Sequence, residues 1–231
     1  MSYITALLKE TEAMGLGPDN PADFNIGSGG PEDGTSTSDA GIFDRGTRLK
    51  HPLVWIDLEM TGLNPLEDKI MEIACVVTDG LLNQELEGPE LAIRLNEDDI
   101  LAMNDWCQEH HHSSGLVQRC RESNVSLEEA EEQVLGFVRR CVPNAGQALL
   151  AGNSVHNDLS FLRVHMPRLA AHLSYRICDV TTVVELSKRW YPKQWMNAPR
   201  KKNAHTAMSD IKESIKELKY YQQQVFRRKP K

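Results

Sequence analysis

The pattern of apolar and polar positions divides the chain near residue 50. Residues 1–49 show little regular apolar spacing, are rich in glycine and contain a Thr-Ser run at 35–38. Such a segment buries too little apolar surface to offset the entropy that it loses on ordering. We therefore predict a flexible, mostly disordered N-terminal extension over 1–49, a single domain over 50–226 and a basic C-terminal tail over 227–231.

The domain begins with strand patterns and continues with alternating strands and helices. Continuous apolar runs predict buried strands over 53–56 and 70–78; a third strand follows, and the pattern is compatible with a fourth over 91–95. Apolar residues at helical spacing predict helices that start near 96, 126, 157, 182 and 206, with strands over 148–152 and 175–180 and a polar loop over 191–203. Antiparallel strands followed by βα units predict an α/β fold, in which helices flank a mixed β-sheet.

Composition and charge limit the kinds of partner. The chain is 40% hydrophobic and 26% charged, with a net charge of −7, as in a globular protein with a core. Residues 1–50 carry 8 acids and 4 bases, so they contribute −4 and the remainder only −3. Binding of long nucleic acids through their phosphates favours a basic surface. If the protein binds RNA, we therefore expect a small pocket with metal ions and a short substrate.

The compartment is suggested by what the sequence lacks. No apolar run approaches the about 18 residues that a bilayer span needs, so we predict no membrane contact. The N-terminus has neither the order of a secretory signal nor the acid-poor character of a transit peptide. Five cysteines without a CxxC pair favour reduced thiols. We predict a cytoplasmic protein and leave a mitochondrial or nuclear pool open.

Two carboxylates directly follow the first apolar run. Asp57 and Glu59 are two positions apart on the predicted strand, so their side chains leave the same face. Carboxylates on a buried strand are costly to desolvate, and a hard divalent cation such as Mg²⁺ or Mn²⁺ offsets that cost. The alternative interpretation is a strand end that frays into solvent and carries two ordinary surface acids.

Three further residues extend this set. Asp158 falls in the first turn of a predicted helix, where an acid also serves as an ordinary capping group. His205 and Asp210 are five residues apart, which is about 500° of helical rotation, so they cannot share one helical face. If the helix begins near Thr206, the histidine lies in the preceding loop and Asp210 points inward from the second turn. An ordinary surface histidine is the alternative.

Together these residues have the order of the DEDDh exonucleases, D-x-E, then D, then H-x4-D. The stretch 55–63, WIDLEMTGL, resembles the first motif of the oligoribonucleases, and the stretches 151–154, 175–180 and 205–210 resemble their other signatures. The resemblance covers about residues 50–226. It implies a ribonuclease H-like fold and a 3′-to-5′ exoribonuclease that degrades short oligoribonucleotides, especially dinucleotides, to nucleoside 5′-monophosphates.

The resemblance also implies the catalytic roles. Two divalent ions, Mg²⁺ or Mn²⁺, would be held by the four acids, and His205 in its neutral form would accept a proton from the attacking water. The implied metal-binding acids are Asp57, Glu59, Asp158 and Asp210, with Asp57 bridging both ions.

The substrate-binding residues are likewise implied by the resemblance. Leu63 resembles the family's apolar wedge between two bases, and Trp106 and His111 lie where family members contact the substrate. Positions associated with the base and the 5′-phosphate end are matched by Ser154, Tyr175, Arg176 and Thr181. In the family the tyrosine and arginine come from the partner subunit, which implies a homodimer. Core positions for Leu63 and Trp106, and a salt bridge for Arg176, are the alternatives.

Three consecutive histidines at 110–112 could suggest a metal site. Adjacent helical residues diverge by about 100°, so one shared ion is disfavoured and we predict a partly exposed helical patch.

Three rival functions remain open. The first is a DEDDh exonuclease that trims or proofreads DNA, against which the oligoribonuclease-like stretches count. The second is a catalytically silent RNA-binding module, against which the complete set of four acids and one histidine counts. The third is a nuclease-like scaffold whose N-terminal arm binds a protein partner.

Overall fold

The computed structural model describes residues 49–199 and 206–226. Apart from Leu49, the predicted disordered extension lies outside the described residues, as does the predicted tail over 227–231. Five strands form one mixed sheet in the order β3-β2-β1-β4-β5. The first three form an antiparallel meander, and β4 and β5 run parallel to β1. The strands are β1 (Leu53–Met60), β2 (Ile70–Thr78), β3 (Glu85–Ala92), β4 (Leu149–Gly152) and β5 (Ile177–Asp179).

Helices follow the meander and alternate with the last two strands. In the described part of the chain they are α1 (Glu97–Leu101), α2 (Asp105–Ser113), α3 (Leu116–Glu122), α4 (Leu127–Cys141), α5 (His156–His165), α6 (Pro167–His172), α7 (Val180–Trp190), α8 (Pro192–Met196) and α9 (Ala207–Gln224). None of these helices combines the length and the apolar character that a membrane span requires.

Alternation along β1 directs its side chains into two different cores. Val54 and Ile56 pack in the core that contains Val134 of α4 and Phe161 of α5. Trp55, on the opposite face, packs in the core that contains Ile211 and Ile215 of α9. All nine positions of β2 are buried, as expected for a strand that is covered on both faces. Because strand residues alternate, the odd-numbered positions 57 and 59 share the face that α9 covers.

A third core lies beside the start of β2. Helices α1, α2 and α3 contribute Ile100, Cys107 and Val117, which pack around Met71 of β2. This small helical layer positions two residues that matter for the site, His111 on α2 and Arg119 on α3.

The predicted mixed sheet flanked by helices is confirmed, as is the order of a meander followed by βα units. The optional fourth strand over 91–95 is wrong, because residues 91 and 92 are the last two residues of β3. The predicted first helix near 96 is two helices, because Asn104 caps a new one by accepting from Cys107 N–H at 2.9 Å.

Other differences concern where helices start and end. The predicted polar loop over 191–203 contains α8, which begins at Pro192, a residue whose fixed φ suits the first helical position. The helix predicted from 182 starts at Val180, since Asp179 caps it through Thr181 N–H. The final helix ends at Gln224, one residue before Val225, and the short helices α3 and α6 were not predicted.

Candidate metal centre

An acidic cluster is formed by Asp57, Glu59 and Asp210. Each residue offers one carboxylate oxygen, and these oxygens all lie within 4.8 Å of one another. Asp57 and Glu59 project from the same face of β1, as the sequence predicted, and Asp210 approaches from α9, which packs on that face. All three residues are half-buried. The cluster therefore offers three oxygen ligands to one cation.

Helix α9 brings Asp210 to the sheet. Thr206 caps the helix by accepting a hydrogen bond from Ser209 N–H at 3.4 Å, so the helix begins where the sequence predicted. Asp210 lies in the first turn rather than in the predicted second turn, and the next residue, Ile211, is buried in the core against the sheet. His205 lies outside the described residues, so its role stays a prediction.

Asp158, the fourth predicted acid, lies beside the cluster. It occupies the first turn of α5, as predicted, and is only 6% exposed. Its Oδ1 accepts a hydrogen bond of 3.0 Å from Leu58 N–H, the backbone group between the two β1 acids. Burial raises the pKa of Asp158 to about 7, although its backbone hydrogen bonds act in the opposite direction. Among the described residues, the group whose oxygens meet within 4.8 Å consists of the other three acids.

The surroundings of Glu59 favour its protonated form. Burial is the largest cause that raises the pKa of Glu59 to about 7, and the charges of Glu72, Asp210 and Asp158 raise it further. The Arg119 guanidinium acts in the opposite direction. A set of crowded carboxylate oxygens is the kind of donor set that Mg²⁺ and Mn²⁺ prefer. The residues present therefore fit a divalent metal.

Glu72 is a site residue that the sequence reasoning missed. It is fully buried on β2 and pairs with Arg119 of α3. Its other carboxylate oxygen, Oε2, is buried without a hydrogen-bond partner among the described residues. The available signal was a single acid within the otherwise apolar strand 70–78, because a buried charge requires a partner.

The three histidines of α2 have different surroundings. His111 is 2% exposed, which differs from the partly exposed patch predicted for 110–112. Its Nε2–H donates to the Met60 carbonyl at 2.9 Å, and its Nδ1 lies 4.0 Å from Glu59 Oε2. Burial is the main cause that lowers the pKa of His111. The imidazole therefore favours its neutral form and turns Nδ1 towards a metal-binding candidate.

Leu63 lies on an exposed turn that side-chain hydrogen bonds of Asp68 hold together. The side chain is 76% exposed, which excludes the alternative of a core position. The carboxylate of Asp68 fixes the turn, because Oδ1 accepts from Thr61 Oγ1 at 3.0 Å and Oδ2 accepts from Asn64 N–H at 2.8 Å. An added Cβ at Gly62 would lie 2.4 Å from Asp68 Oδ2, so a larger residue there would displace the carboxylate that holds the turn.

Two other predicted substrate-binding aromatic residues are also exposed. Trp106 is 67% exposed, which excludes a core position, and it stacks on His110 with ring centroids 4.7 Å apart. Tyr175 is 73% exposed, and the Arg176 guanidinium lies 4.7 Å from the centroid of its ring. These large apolar surfaces are available for stacking.

Ser154 and Thr181, which are distant in sequence, are brought together. Ser154 N–H donates to Thr181 Oγ1 at 2.9 Å and to Asp179 Oδ1 at 3.0 Å, and the two hydroxyl oxygens are 3.2 Å apart. Ser154 adopts a φ of 51°, a left-handed conformation that is uncommon for serine. Asp179 is a second residue that the sequence reasoning missed; it also accepts from Thr181 N–H at 2.9 Å.

Comparison with known proteins agrees with this geometry. A family model described as RNase_T, exonuclease, matches residues 54–218. The zinc-bound crystal structure of Escherichia coli exonuclease I in a complex with single-stranded DNA has the same fold, with a TM-score of 0.62 and 16% identity over 77% of this chain and 42% of that one. The chain thus spans less than half the length of exonuclease I. The fold and the match define an exonuclease domain.

Sequence relatives identify the particular family. "Oligoribonuclease" of Arabidopsis thaliana is 51% identical over 77% of this chain and 80% of its own. "Oligoribonuclease, mitochondrial" of Mus musculus is 49% identical over 80% of this chain and 77% of its own length. "Oligoribonuclease" of Rhodococcus jostii is 48% identical over 77% of this chain and 89% of its own length. The chain belongs to the oligoribonuclease family, which confirms the resemblance found in its motifs.

Proposed function

We propose that the protein is a metal-dependent 3′-to-5′ exoribonuclease that hydrolyses short oligoribonucleotides, especially dinucleotides, to nucleoside 5′-monophosphates. The observation that carries this proposal is the acidic cluster of Asp57, Glu59 and Asp210 within a chain of the oligoribonuclease family. The relatives are named as oligoribonucleases, which suggests short RNA as the substrate class, and the cluster supplies groups suited to phosphodiester hydrolysis.

We assign the metal site to two divalent ions, Mg²⁺ or Mn²⁺. The residues that would hold them are Asp57, Glu59, Asp158 and Asp210. When bound, such ions stabilise the charge that develops on the attacking and leaving oxygens. The carboxylates themselves neutralise the cations and fix the place at which the phosphodiester is held. The raised pKa values of Glu59 and Asp158, each about 7, support this assignment, because a cation restores the charged form that burial disfavours.

His205 is proposed as the general base. It directly precedes Thr206, the residue that caps α9, and α9 carries Asp210 three residues beyond its first position. A neutral imidazole accepts a proton from water, which gives the nucleophile. The proton passes from the water to an imidazole nitrogen, and the water oxygen forms the new bond to phosphorus. The bond from phosphorus to the departing 3′ oxygen breaks, and this oxygen leaves with the electron pair and takes a proton from solvent to become the 3′ hydroxyl.

The two bases of a dinucleotide are proposed to contact Leu63, Trp106 and His111. Leu63 and Trp106 expose apolar surface, and exposed apolar side chains on a rigid frame are suited to stacking against bases. His111 is buried, so its contribution to binding would come through Nδ1 or through its packing beside Glu59.

The 5′-phosphate end of the substrate is proposed to bind Ser154, Thr181, Tyr175 and Arg176. Two adjacent hydroxyls and one guanidinium are donors suited to phosphate oxygens. A pocket closed around the 5′ end would reject longer RNA. The weak net charge of residues 51–231 supports this substrate limit, because no large excess of basic residues is available for a long phosphate backbone.

A homodimer is proposed in which Tyr175 and Arg176 act at the active site of the partner subunit. Large exposed apolar residues around this part of the chain support a second copy as the occupant. Trp190 and Met196 are 66% and 67% exposed, and Tyr175 is 73% exposed. Exposed large apolar side chains of this kind are common at interaction surfaces.

We propose the cytoplasm as the compartment, with a mitochondrial or nuclear pool as a further location. All five cysteines are free, which suits a reducing compartment. The mouse relative carries "mitochondrial" in its name, which motivates testing both fractions by cell fractionation.

The proposal is tested with 5′-labelled RNAs of two, five and twenty nucleotides, in Mg²⁺, in Mn²⁺ and in EDTA. Metal-dependent release of 5′-monophosphates that is fastest on the dinucleotide supports it. Faster cleavage of the longest RNA contradicts the closed pocket, and preference for the matching deoxyribonucleotides favours a DNA-trimming exonuclease. The same assay on residues 50–231 tests our proposal that the domain over 50–226 carries the activity and that residues 1–49 are dispensable.

A further inference from the structure

A chain of hydrogen bonds runs from Thr181 to the backbone of Asp210. Thr181 Oγ1 lies 3.4 Å from Asn153 Oδ1, Asn153 Nδ2 lies 2.6 Å from Ser214 Oγ, and Ser214 Oγ lies 2.7 Å from the Asp210 carbonyl. The chain thus begins at a proposed 5′-phosphate ligand and ends at a residue of the acidic cluster. It joins α7, the connection between β4 and α5, and the first turns of α9.

The number of available protons fixes the direction of this chain. Ser214 has one hydroxyl proton, which the Asp210 carbonyl accepts, so Ser214 Oγ itself accepts from the Asn153 amide. Asn153 Oδ1 can only accept, and the proton that it accepts belongs to Thr181. The Thr181 oxygen is then left to accept from Ser154 N–H and from the Ser154 hydroxyl. Every member of the chain therefore depends on its neighbour.

The longest bond lies at the substrate end. The hydrogen bond from Thr181 to Asn153, at 3.4 Å, is weaker than the bond from Asn153 to Ser214 at 2.6 Å and the bond from Ser214 to the Asp210 carbonyl at 2.7 Å. A bound phosphate competes for the hydroxyl protons of Thr181 and Ser154, because its charged oxygens are stronger acceptors than an amide carbonyl. At the Asp210 end, Ser214 is 4% exposed, so water cannot readily replace a hydrogen bond that Ser214 loses.

We propose that Asn153 is a positioning residue that sets the distance between the 5′-phosphate pocket and Asp210. Asn153 immediately precedes Ser154, and through Ser214 it fixes this segment against the helix that carries Asp210. The inference rests on the proposed function and deepens it. The Thr181 end of the hydrogen-bond chain would lie at the 5′ phosphate of the substrate, and the Asp210 end would lie at the scissile phosphate. The chain would therefore favour dinucleotides that carry a 5′ phosphate.

The test compares full-length wild-type protein with Asn153→Ala on diribonucleotides that carry either a 5′-phosphate or a 5′-hydroxyl, at saturating Mg²⁺. We expect the ratio of kcat/KM for the phosphorylated over the hydroxyl substrate to fall about five- to tenfold, the loss of one such hydrogen bond. Turnover of the 5′-hydroxyl substrate should fall less than that of the 5′-phosphorylated substrate. Ser214→Ala should give the same loss, and the double variant no further loss, because both substitutions break one chain.

Asn124→Ala is the matched control, since it removes an exposed amide that accepts from Arg94 Nη2 at 3.0 Å and should leave the ratio unchanged. Equal losses on both substrates in Asn153→Ala and Ser214→Ala would make the chain a general structural support and overturn the inference. A wild-type protein that cleaves both dinucleotides equally would also overturn it, while leaving the nuclease proposal intact. Absence of metal-dependent cleavage of either dinucleotide by the wild type would reject the proposed function itself.

Discussion

Glu72 lies directly opposite Glu59 in the antiparallel pairing of β1 with β2. A fully buried carboxylate therefore adjoins a carboxylate of the acidic cluster, and its charge raises the pKa of Glu59. The ion pair with Arg119 offsets the cost of burying the Glu72 carboxylate beside Glu59. The small helical layer that carries Arg119 is thus an electrostatic support for the acidic cluster as well as a part of the core.

Removal of this support should be costly. In Arg119→Met, the buried Glu72 loses its counter-charge, and we expect the free energy of unfolding to fall by about 2–4 kcal/mol. The double variant Glu72→Gln with Arg119→Met should recover much of that loss, because no uncompensated charge is then left in the core. Denaturant titration in EDTA measures both values. A double variant that is less stable than Arg119→Met would show that the ion pair is not the cause.

The metal-free protein should lose stability as the pH rises. Glu59 and Asp158 have folded-state pKa values of about 7, above the ordinary 4.5 and 3.8, so their protonated forms favour the folded state. Their contribution is complete below about pH 4 and is lost as the pH rises to about 7. In EDTA, the Tm should therefore decrease between pH 5 and 8 by at least a few degrees, because one pKa unit corresponds to about 1.4 kcal/mol. Mg²⁺ or Mn²⁺ should raise the Tm more at pH 8 than at pH 5, and a metal effect that is larger at pH 5 would contradict this assignment.

Substitution of Asp210 should stop turnover without unfolding the protein. Asp210→Asn keeps the size of the side chain but removes one charged ligand from the acidic cluster, and we expect kcat to fall about 100-fold or more. Glu128→Gln, an equivalent change at an exposed position in the first turn of α4, is the control. Activity is measured on a dinucleotide at several metal concentrations. Wild-type turnover of Asp210→Asn at equal metal would reject Asp210 as a ligand.

Loss of His205 should affect turnover rather than binding. His205→Ala removes the proposed proton acceptor, and we expect kcat to decrease about 10²- to 10⁴-fold. Dinucleotide affinity, measured by calorimetry in Ca²⁺, should remain within a few-fold of the wild type. The pH dependence of kcat should be measured as well. If His205→Ala retains the wild-type rate at neutral pH, His205 does not act as a base.

The turn that carries Leu63 offers an internal comparison. Leu63→Ala should raise the KM for a dinucleotide by about tenfold, because about 1–2 kcal/mol of apolar contact with a base is lost, and should leave kcat nearly unchanged. Leu66→Ala removes the same side-chain atoms from the same turn, where Leu66 is 71% exposed, and should have little effect. Equal changes in both variants would indicate a general effect of the turn rather than a wedge.

Much of the site could be predicted because it follows local rules. The two-residue period of a strand places Asp57 and Glu59 on one face, and a capping threonine sets the start of α9 and hence the orientation of Asp210. The interactions that were missed act over long sequence distances. Arg119 pairs with Glu72 across 47 positions, and no local pattern specifies which helix supplies the counter-charge.

Burial of a residue within a polar run is also hidden from the sequence. His111 has the same local sequence context as the histidines on either side of it, and only the packing of α2 against the sheet distinguishes it. The division of the helix predicted near 96 into α1 and α2 depends on Asn104, which is an effective cap only once the chain turns at that point. Tertiary contacts decide both outcomes.

The different environments of the two faces of β1 limit which insertions and deletions the strand can accept. Trp55 and the two acids that follow it at alternate positions point to one side, while Val54 and Ile56 point to the other. Deleting one codon between those for Val54 and Asp57 would shift one part of the strand by one position relative to the other, so that either the two carboxylates would turn into the apolar core or Val54 would turn out of it. A point substitution changes one side chain of this strand. An in-frame insertion or deletion of one residue instead reverses the faces of all side chains on one side of the change. We expect natural length variation in this family to fall in the turns on either side of β1 and to be absent from the strand itself.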